Sequence, residues 1–468
     1  MVEADILIKN GYVITMDGQR SILPNASITI KDDKISGIFA DAGSIDGCKA
    51  KKVIDAAGKF IYPGFISTHT HLFQVLLKGL GRDKTLFEWL DSSVRKAIWK
   101  IDGDCCYYAA LTGCIEAIRT GTTTVLDYMY SHGIRGLDDY VMKAFEDIGI
   151  RGILGRGHTK TDDFPEEYAC SYNETEDEFF KEVERLEAKY RNNSRLDVAL
   201  APGIIWDLSD EGFRRTREMA DKLKIPITMH LVETGDDDKY TLEAKGMRTI
   251  PFLEKMGILG PDFIAVHCVH MTPEDIELFK KYDVKVSHNP VSNMILASGI
   301  APVPEFLDAG VTVSLAFDGA ASNDTQDMLE VMKTTALQHK VFRRDASLVN
   351  AAQVLEMATL GGAKALGKEA SIGSIEIGKK ADIIIYNPMN SRSIPVNDPV
   401  SALVYSSAQP NIEASIIDGK LIMENGSFIN IDEEKILYKT QEAAVKLLAE
   451  TGLGNTQWGQ RITTGNLR

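Results

Sequence analysis

Eight short apolar segments, each compatible with a buried strand, are spaced along the middle of this 468-residue chain. Most are followed by a segment of helical periodicity, such as EDEFFKEVERLEAKYR or PEDIELFKKY. Repeated strand-then-helix units predict a parallel sheet, and eight of them predict an α/β fold of the (β/α)8 TIM-barrel type. The predicted strands are residues 65–71, 122–128, 151–157, 196–202, 227–234, 263–270, 285–290 and 311–319.

Both ends of the chain have a different texture, with short β-type segments separated by turn signals such as Asn-Gly. We expect residues 1–62 and 366–430 to meet as the two parts of one small β-sandwich domain. The metal-dependent barrel would then span residues 63–365. Residues 431–468 are predicted to begin with a helix, EEKILYKTQEAAVKLLAE, and to finish in a polar tail.

Charge and composition narrow the partners. The net charge of −15 argues against nucleic acid and against an anionic membrane surface, because both attract basic proteins. No segment approaches the roughly 20 apolar residues that cross a bilayer, and MVEADILIKN does not read as a signal peptide. The six cysteines form no CxxC pair, so we expect free thiols and a cytoplasmic location.

The first predicted strand ends in two histidines, His69 and His71. Side chains at positions i and i+2 of a strand point to the same face, so two imidazoles could reach one metal ion. Alone, such a pair is equally typical of a metal site and of two histidines that are merely hydrogen-bonded at a strand end.

Two further residues change this balance. His230 lies in the fifth predicted strand and Asp318 at the end of the eighth, so both would meet the first pair at the barrel mouth. Three imidazole nitrogens and one carboxylate oxygen suit zinc or a similar divalent metal with one open position. A lone aspartate here would more often cap a helix.

Glu233 and His267 complete the candidate catalytic set. Glu233 follows His230 by three residues and could exchange protons beside the metal, although a glutamate in the first turn of a helix is common. His267 lies near the end of the sixth predicted strand, where its alternative is a core histidine bonded to backbone.

Taken in order, FISTHTH, HLVET, AVHCVH, SHNPVSN and LAFDGAASND resemble the cytosine/guanine/adenosine-type deaminase branch of the amidohydrolase superfamily. VIDAAGKFIYPGF and GSIEIGKKADIII are similar to the segments that lead from that family's sandwich into its barrel and back. Within the branch, the pattern is closest to 8-oxoguanine deaminase and the s-triazine hydrolases, and next to S-adenosylhomocysteine and methylthioadenosine deaminases.

The resemblance implies one divalent metal ion, Zn²⁺ with Fe²⁺ or Mn²⁺ as alternatives, held by His69, His71, His230 and Asp318. Such an ion lowers the pKa of a bound water from about 15.7 to about 7. Asp318 would then accept a proton from the water, His267 would orient it, and Glu233 would protonate the ring. A second ion is not expected, because the fourth predicted strand, LDVALAPG, lacks the lysine of the binuclear relatives.

Four residues are candidate substrate contacts, each with an alternative. Gln74 could hydrogen-bond a ring amide edge or serve as a capping or surface glutamine. Trp89 could wall the pocket or pack between helices. Trp206 lies just beyond the fourth predicted strand, where it could stack on a heterocycle. Arg156, at the end of the third, could contact a carbonyl or anion or form a salt bridge inside the barrel.

These features predict a deaminase that releases ammonia from an aromatic nitrogen heterocycle such as 8-oxoguanine, guanine, a pterin or a hydroxytriazine. Two departures from the related nucleoside deaminases argue against a nucleoside substrate. APGIIWDLS lacks a histidine that those enzymes place after strand four, and AIWKID replaces their ribose-binding glutamate. The alternatives are such a nucleoside deaminase, a triazine hydrolase that expels chloride or alkylamine, and a metal-free non-enzymatic relative. The partner would be the small-molecule heterocyclic substrate, and a homo-oligomer is compatible with the resemblance.

Overall fold

The terminal strands and the barrel strands form two separate sheets in this computed structural model, which describes residues 3–41, 45, 47–160 and 174–454. In the N-terminal segment the strands are β1 (Glu3–Ile14), β2 (Ile22–Lys31), β3 (Lys34–Phe39), β4 (Lys49–Asp55) and β5 (Phe60–Pro63). The barrel strands are β6 (Phe65–Thr70), β7 (Thr122–Met129), β8 (Arg151–Gly157), β9 (Leu196–Ala201), β10 (Ile227–Leu231), β11 (Phe263–His267), β12 (Lys285–His288) and β13 (Val313–Leu315). In the C-terminal segment they are β14 (Ile383–Tyr386), β15 (Ile412–Ile417), β16 (Lys420–Glu424) and β17 (Ser427–Phe428).

The barrel sheet runs in sequence order from β6 to β13, and every neighbouring pair is parallel. Its strands are almost entirely buried, as expected where helices cover a parallel sheet. At the seam between β13 and β6, Thr68 Oγ1 lies 2.7 Å from Ser314 Oγ, and the Asp318 N–H donates to the His69 carbonyl at 3.3 Å. The predicted (β/α)8 barrel is confirmed, with each predicted strand in place.

Helices follow most barrel strands, and several begin at a residue whose side chain caps the first turn, such as Thr175, Ser209 and Thr272. The helices are α1 (Leu86–Ser92), α2 (Val94–Ala97), α3 (Gly103–Arg119), α4 (Leu137–Ile148), α5 (Glu176–Tyr190), α6 (Asp210–Leu223), α7 (Asp236–Lys245), α8 (Thr249–Met256), α9 (Pro273–Tyr282), α10 (Pro290–Ile295), α11 (Val303–Ala309), α12 (Ala320–Asn323), α13 (Met328–Arg343), α14 (Ala351–Glu356), α15 (Gly362–Ala365), α16 (Pro399–Ser406) and α17 (Glu433–Thr451). For α5, the Thr175 side chain and Glu178 form a reciprocal capping box.

The terminal segments form one nine-stranded mixed sheet in the order β17-β16-β15-β14-β5-β1-β2-β3, with β4 paired to β1. β14 pairs antiparallel with β5 and so joins the two ends of the chain, for example Ile384 opposite Tyr62. An isoleucine-rich core, including Ile8, Ile28 and Ile385, fills this module. The predicted module of N- and C-terminal strands is therefore present beside the barrel.

A buried ion cluster ties the module to the start of β8. Arg151 Nε donates to Asp382 Oδ2 at 2.8 Å, and its Nη2 donates to Asp418 Oδ1 at 3.0 Å. At the C-terminus, α17 packs on α3, where Thr112 and Thr440 are joined through their hydroxyls at 2.6 Å. The predicted polar tail after residue 454 lies outside the described residues. Within the described part of the chain, no helix has the length and apolarity needed to cross a membrane.

Candidate active site

Four side chains converge where the barrel strands end. His69 and His71 come from the end of β6, His230 from β10, and Asp318 from just beyond β13. His71 Nε2 lies 3.1 Å from His230 Nε2, while Asp318 Oδ1 lies 3.4 Å from His69 Nε2 and 3.5 Å from His71 Nε2. The structure therefore brings the predicted metal ligands to one point, although His69 and Asp318 are 249 residues apart in sequence.

The unsatisfied polar atoms at this point fit a metal ion. His69 is fully buried, and neither of its ring nitrogens has a hydrogen-bond partner among the described residues. His71 Nδ1 lies 2.7 Å from the Tyr128 carbonyl, so a proton on Nδ1 would leave Nε2 as a free acceptor facing His230. Three imidazoles and a carboxylate at these distances could hold zinc with a position left open.

Burial sets the protonation state of these groups. Burial lowers the pKa of His69, lowers that of His71 to about 3, and, with the neighbouring imidazoles, lowers that of His230 well below its ordinary value. Burial alone would raise the pKa of Asp318, but the close contact with His69 and the surrounding imidazoles bring it well below the usual range. Neutral imidazoles and an ionised carboxylate are the forms that bind a divalent metal.

The backbone around Asp318 is tightly constrained. Asp318 has a φ of 66°, a left-handed conformation uncommon for residues other than glycine. Its carbonyl accepts hydrogen bonds from Thr70 Oγ1 and Gln326 Nε2, and its Oδ2 accepts one from Ser322 Oγ at 3.2 Å. Backbone strain of this kind persists only where the surroundings hold it, which is typical of functional sites.

Glu233 and His267 form a second pair beside the cluster. His267 Nε2 lies 3.5 Å from Glu233 Oε2, and Ser298 Oγ donates to Glu233 Oε1 at 2.9 Å. Burial raises the pKa of Glu233, which favours a carboxylic acid that can donate a proton. His267 Nδ1 lies 2.9 Å from Asn293 Oδ1, so the amide holds the orientation of the imidazole.

Sequence reasoning missed several supporting residues. Asn293 lies in the SHNPVSN motif, and its amide in that motif is the only signal that could have pointed to it. Ser298 lies in a short connection after α10 and has no sequence signal. Asp237 also lines the site, and its Oδ2 accepts the Val232 N–H at 2.5 Å in the turn that precedes Glu233.

A cavity of about 510 Å³ opens above the cluster. Gln74, Trp89 and Trp206, three of the predicted substrate contacts, line it. Gln74 Nε2 donates to the Tyr130 hydroxyl at 2.8 Å, whereas its buried Oε1 has no hydrogen-bond partner among the described residues. Much of the wall is apolar and includes Leu86, Phe87, Leu90, Val94, Ile98, Ile204 and Leu296.

Arg156, the fourth predicted contact, is not among the described residues that line this cavity. Its guanidinium is buried in ion pairs with Asp138, at 3.0 Å, and with Glu174. These two carboxylates neutralise its charge away from the cavity. The structure therefore places Arg156 in the barrel salt bridge that was the alternative to a substrate contact.

The fold is a hydrolase-type barrel with a site able to hold a metal ion, and residues 60–422 match the amidohydrolase family. The chain belongs to this family. It is 37% identical over 450 residues to a 5′-deoxyadenosine deaminase of Methanosarcina acetivorans, with 95% of this chain and 99% of the relative covered. It is 36% identical to a 5-methylthioadenosine/S-adenosylhomocysteine deaminase of Acetivibrio thermocellus, with 95% of this chain and 100% of the relative covered.

Two solved structures of hydrolases are also similar to this chain over nearly its whole length. An adenosine deaminase from Xanthomonas campestris with bound zinc superposes with a TM-score of 0.89 at 27% identity, over 96% of this chain and 99% of that one. A variant of atrazine chlorohydrolase from Arthrobacter aurescens, complexed with zinc and atraton, superposes with a TM-score of 0.86 at 27% identity, over 94% of this chain and 100% of that one. The chain is an amidohydrolase-type deaminase, as the sequence predicted. The named relatives favour the nucleoside alternative over the free heterocyclic base.

Proposed function

We propose that this chain hydrolytically deaminates the adenine ring of a nucleoside, with 5′-deoxyadenosine and its 5′-thio analogues as the substrate class. The observation that carries the proposal is the junction of two features in one cavity: a candidate metal site and a buried carboxylic acid, Glu233, with a raised pKa. The deaminase relatives, which are similar over 95% of the chain, support the choice of ring and sugar.

In this proposal a single divalent ion, Zn²⁺ with Fe²⁺ or Mn²⁺ as alternatives, is held by His69, His71, His230 and Asp318. The bound ion supplies Lewis-acid activation of the attacking water at neutral pH. Zinc in two structural neighbours supports this choice of ion. The β9 segment, Leu196–Ala201, offers no lysine for a bridging carbamate, which supports one ion rather than two.

Glu233 acts as the proton donor to the ring nitrogen beside the carbon that carries the amino group. Because Ser298 donates to Oε1, the acidic proton belongs on Oε2, the oxygen that faces His267. Protonation of the ring makes that carbon electrophilic. His267, fixed by Asn293, orients the attacking water, and the Asp318 carboxylate accepts one proton of that water and delivers it to the amino group, which leaves as ammonia. The remaining hydroxyl proton passes to the Glu233 carboxylate as the carbonyl forms, which restores the acid.

Gln74, Trp89 and Trp206 are the proposed ring contacts. The Gln74 carbonyl is buried at the cavity wall with an unused acceptor, so it can receive an N–H from the substrate. The indole of Trp206 lines the cavity, packs against Tyr240 with 5.6 Å between ring centroids, and can stack on the adenine ring.

A second candidate is a substrate without a sugar, such as 8-oxoguanine or a hydroxytriazine. It is favoured by Ile98, an apolar residue of the cavity wall in the AIWKID segment, where the resemblance places a ribose-binding glutamate. The triazine hydrolase neighbour adds to this reading.

Ammonia release from the zinc-loaded protein separates the two. The panel contains 5′-deoxyadenosine, 5′-methylthioadenosine, S-adenosylhomocysteine, 8-oxoguanine and a hydroxytriazine. We expect the highest kcat/KM on an adenine nucleoside. Turnover restricted to the sugar-free rings would refute the proposal and establish the second candidate.

A further inference from the structure

The loop after β9 lacks the histidine that the resemblance associates with nucleoside binding, and a glycine, Gly203, lies in this loop beside the cavity. Gly203 has a φ of 95°, which residues with side chains rarely adopt. A Cβ placed there would lie 2.6 Å from the Asp207 Cβ and 2.7 Å from the His158 carbonyl oxygen. No side chain fits at position 203, because Asp207 and the end of the β8 segment already occupy that space.

Asp207 presents a fixed carboxylate to the cavity from this space. It lines the cavity and is 7% exposed. Its Oδ2 accepts the Ile204 N–H at 2.9 Å, and its Oδ1 accepts the Lys160 N–H at 3.2 Å. A carboxylate has about four acceptor sites, so these two backbone donors leave capacity for hydroxyl donors.

The charge state of Asp207 suits such a role. Burial raises its pKa to about 6, while the two backbone N–H groups and His158 act in the opposite direction. The group is therefore mainly ionised at neutral pH, and a carboxylate is the group that dinucleotide-binding folds use to accept ribose hydroxyls.

His158 stands beside Asp207, one residue beyond β8, and also lines the cavity while only 3% exposed. Its Nδ1 lies 3.5 Å from Glu174 Oε2, and its ring packs against Phe179 with 5.4 Å between centroids. A carboxylate next to Nδ1 favours a proton on that nitrogen, which leaves Nε2 as an acceptor.

We propose that Asp207 and His158, brought together over Gly203, form the subsite that binds the 2′- and 3′-hydroxyls of the substrate sugar. The subsite rests on the proposed nucleoside deaminase function. It replaces a histidine on the β9 loop by a carboxylate from the same loop and an imidazole from the neighbouring strand. These are specificity residues that act on the sugar and take no part in the chemistry at the ring.

The test compares 5′-deoxyadenosine with 2′,5′-dideoxyadenosine and 3′,5′-dideoxyadenosine in the wild type, in Asp207→Asn and in His158→Gln. Hydrogen bonds to charged groups contribute enough that losing one lowers kcat/KM by roughly 10- to 150-fold. We expect Asp207→Asn to show this loss on 5′-deoxyadenosine and a much smaller loss on at least one dideoxy analogue. His158→Gln should likewise lower kcat/KM more on 5′-deoxyadenosine than on at least one dideoxy analogue.

Asp210→Asn is the matched control, since this carboxylate opens α6 three residues beyond Asp207, pairs with Lys245 and is not among the described cavity residues. In this control, the ratio of kcat/KM on 5′-deoxyadenosine to kcat/KM on each dideoxy analogue should equal that of the wild type. A loss in Asp207→Asn that is equal on all three nucleosides would show a purely structural role and overturn the subsite alone. Absence of turnover on every nucleoside by the wild type would instead overturn the proposed function.

Discussion

Replacement of Glu233 by glutamine tests the proposed chemistry most directly. The substitution keeps the size of the side chain and an acceptor for the Ser298 hydroxyl, which donates to Oε1 at 2.9 Å. It removes only the carboxylic proton. Since Glu233 is 8% exposed and is not one of the four candidate metal ligands, the fold and the metal content should both survive.

The expected loss follows from the role of that proton. General acid catalysis contributes about 10²–10⁴-fold, or roughly 2.7–5.4 kcal/mol of transition-state stabilisation at 1.36 kcal/mol per factor of ten. We expect the loss to fall on kcat. KM should stay within a few-fold, because a glutamine amide at the same place can still hydrogen-bond the ring nitrogen.

The assay is steady-state ammonia release at saturating 5′-deoxyadenosine, with metal content and thermal unfolding measured on the same preparations. Glu243→Gln is the control, an exposed glutamate on α7 outside the described cavity wall. A Glu233→Gln enzyme that retains its metal and keeps kcat within tenfold of the wild type would refute the proton-donor role. Loss of metal in this variant would instead show that Glu233 contributes to metal binding.

Other consequences of the structure can be measured separately. Chelation of the metal should abolish ammonia release, and added Zn²⁺ should restore it, as measured by activity against bound zinc. Asp237→Ala removes the acceptor for the Val232 N–H, where φ is 43°, and should lower stability by about 1.5–3 kcal/mol in urea unfolding while reducing kcat. Arg151→Met removes the guanidinium that Asp382 and Asp418 share, leaves Asp418 with Lys380 at 3.1 Å, and should cost about 3–5 kcal/mol in the same assay. Burial opposes ionisation of Asp418, but Arg151 holds its pKa below 3.8, so wild-type unfolding free energy should fall as pH drops below about 4, and Arg151→Met should flatten that dependence.

The barrel could be predicted because its determinants are local. Most buried strands are short apolar runs followed by a helix, and several of these helices have their own capping signal, as at Thr175 and Glu178. The convergence of His69, His230 and Asp318 could be predicted for the same reason, since a barrel brings all strand ends to one face. Once the strand ends are known, residues hundreds of positions apart are known to be neighbours.

The supporting contacts could not be predicted, because they depend on how connections fold above the strands. Ser298 reaches Glu233 from a connection that follows α10, and nothing in its neighbours marks a serine as an acid's partner. Arg156 shows the converse. Its position at a strand end is typical of a binding residue, yet Asp138 and Glu174, on either side of it in sequence, neutralise it in a buried ion pair.

The prediction of the substrate depended on single positions in the sequence. Gly203 shows why a single position is weaker evidence than a complete set of metal ligands. A metal centre requires particular atoms at particular strand ends, so a missing residue means a missing function. A hydroxyl requires only some acceptor in reach, and a neighbouring element can supply it. Here position 203 has no room for a side chain because Asp207 and the His158 backbone fill that space, and both Asp207 and His158 line the cavity. The absence of one histidine therefore does not argue against a sugar, and the polar groups that took its place are the ones to vary.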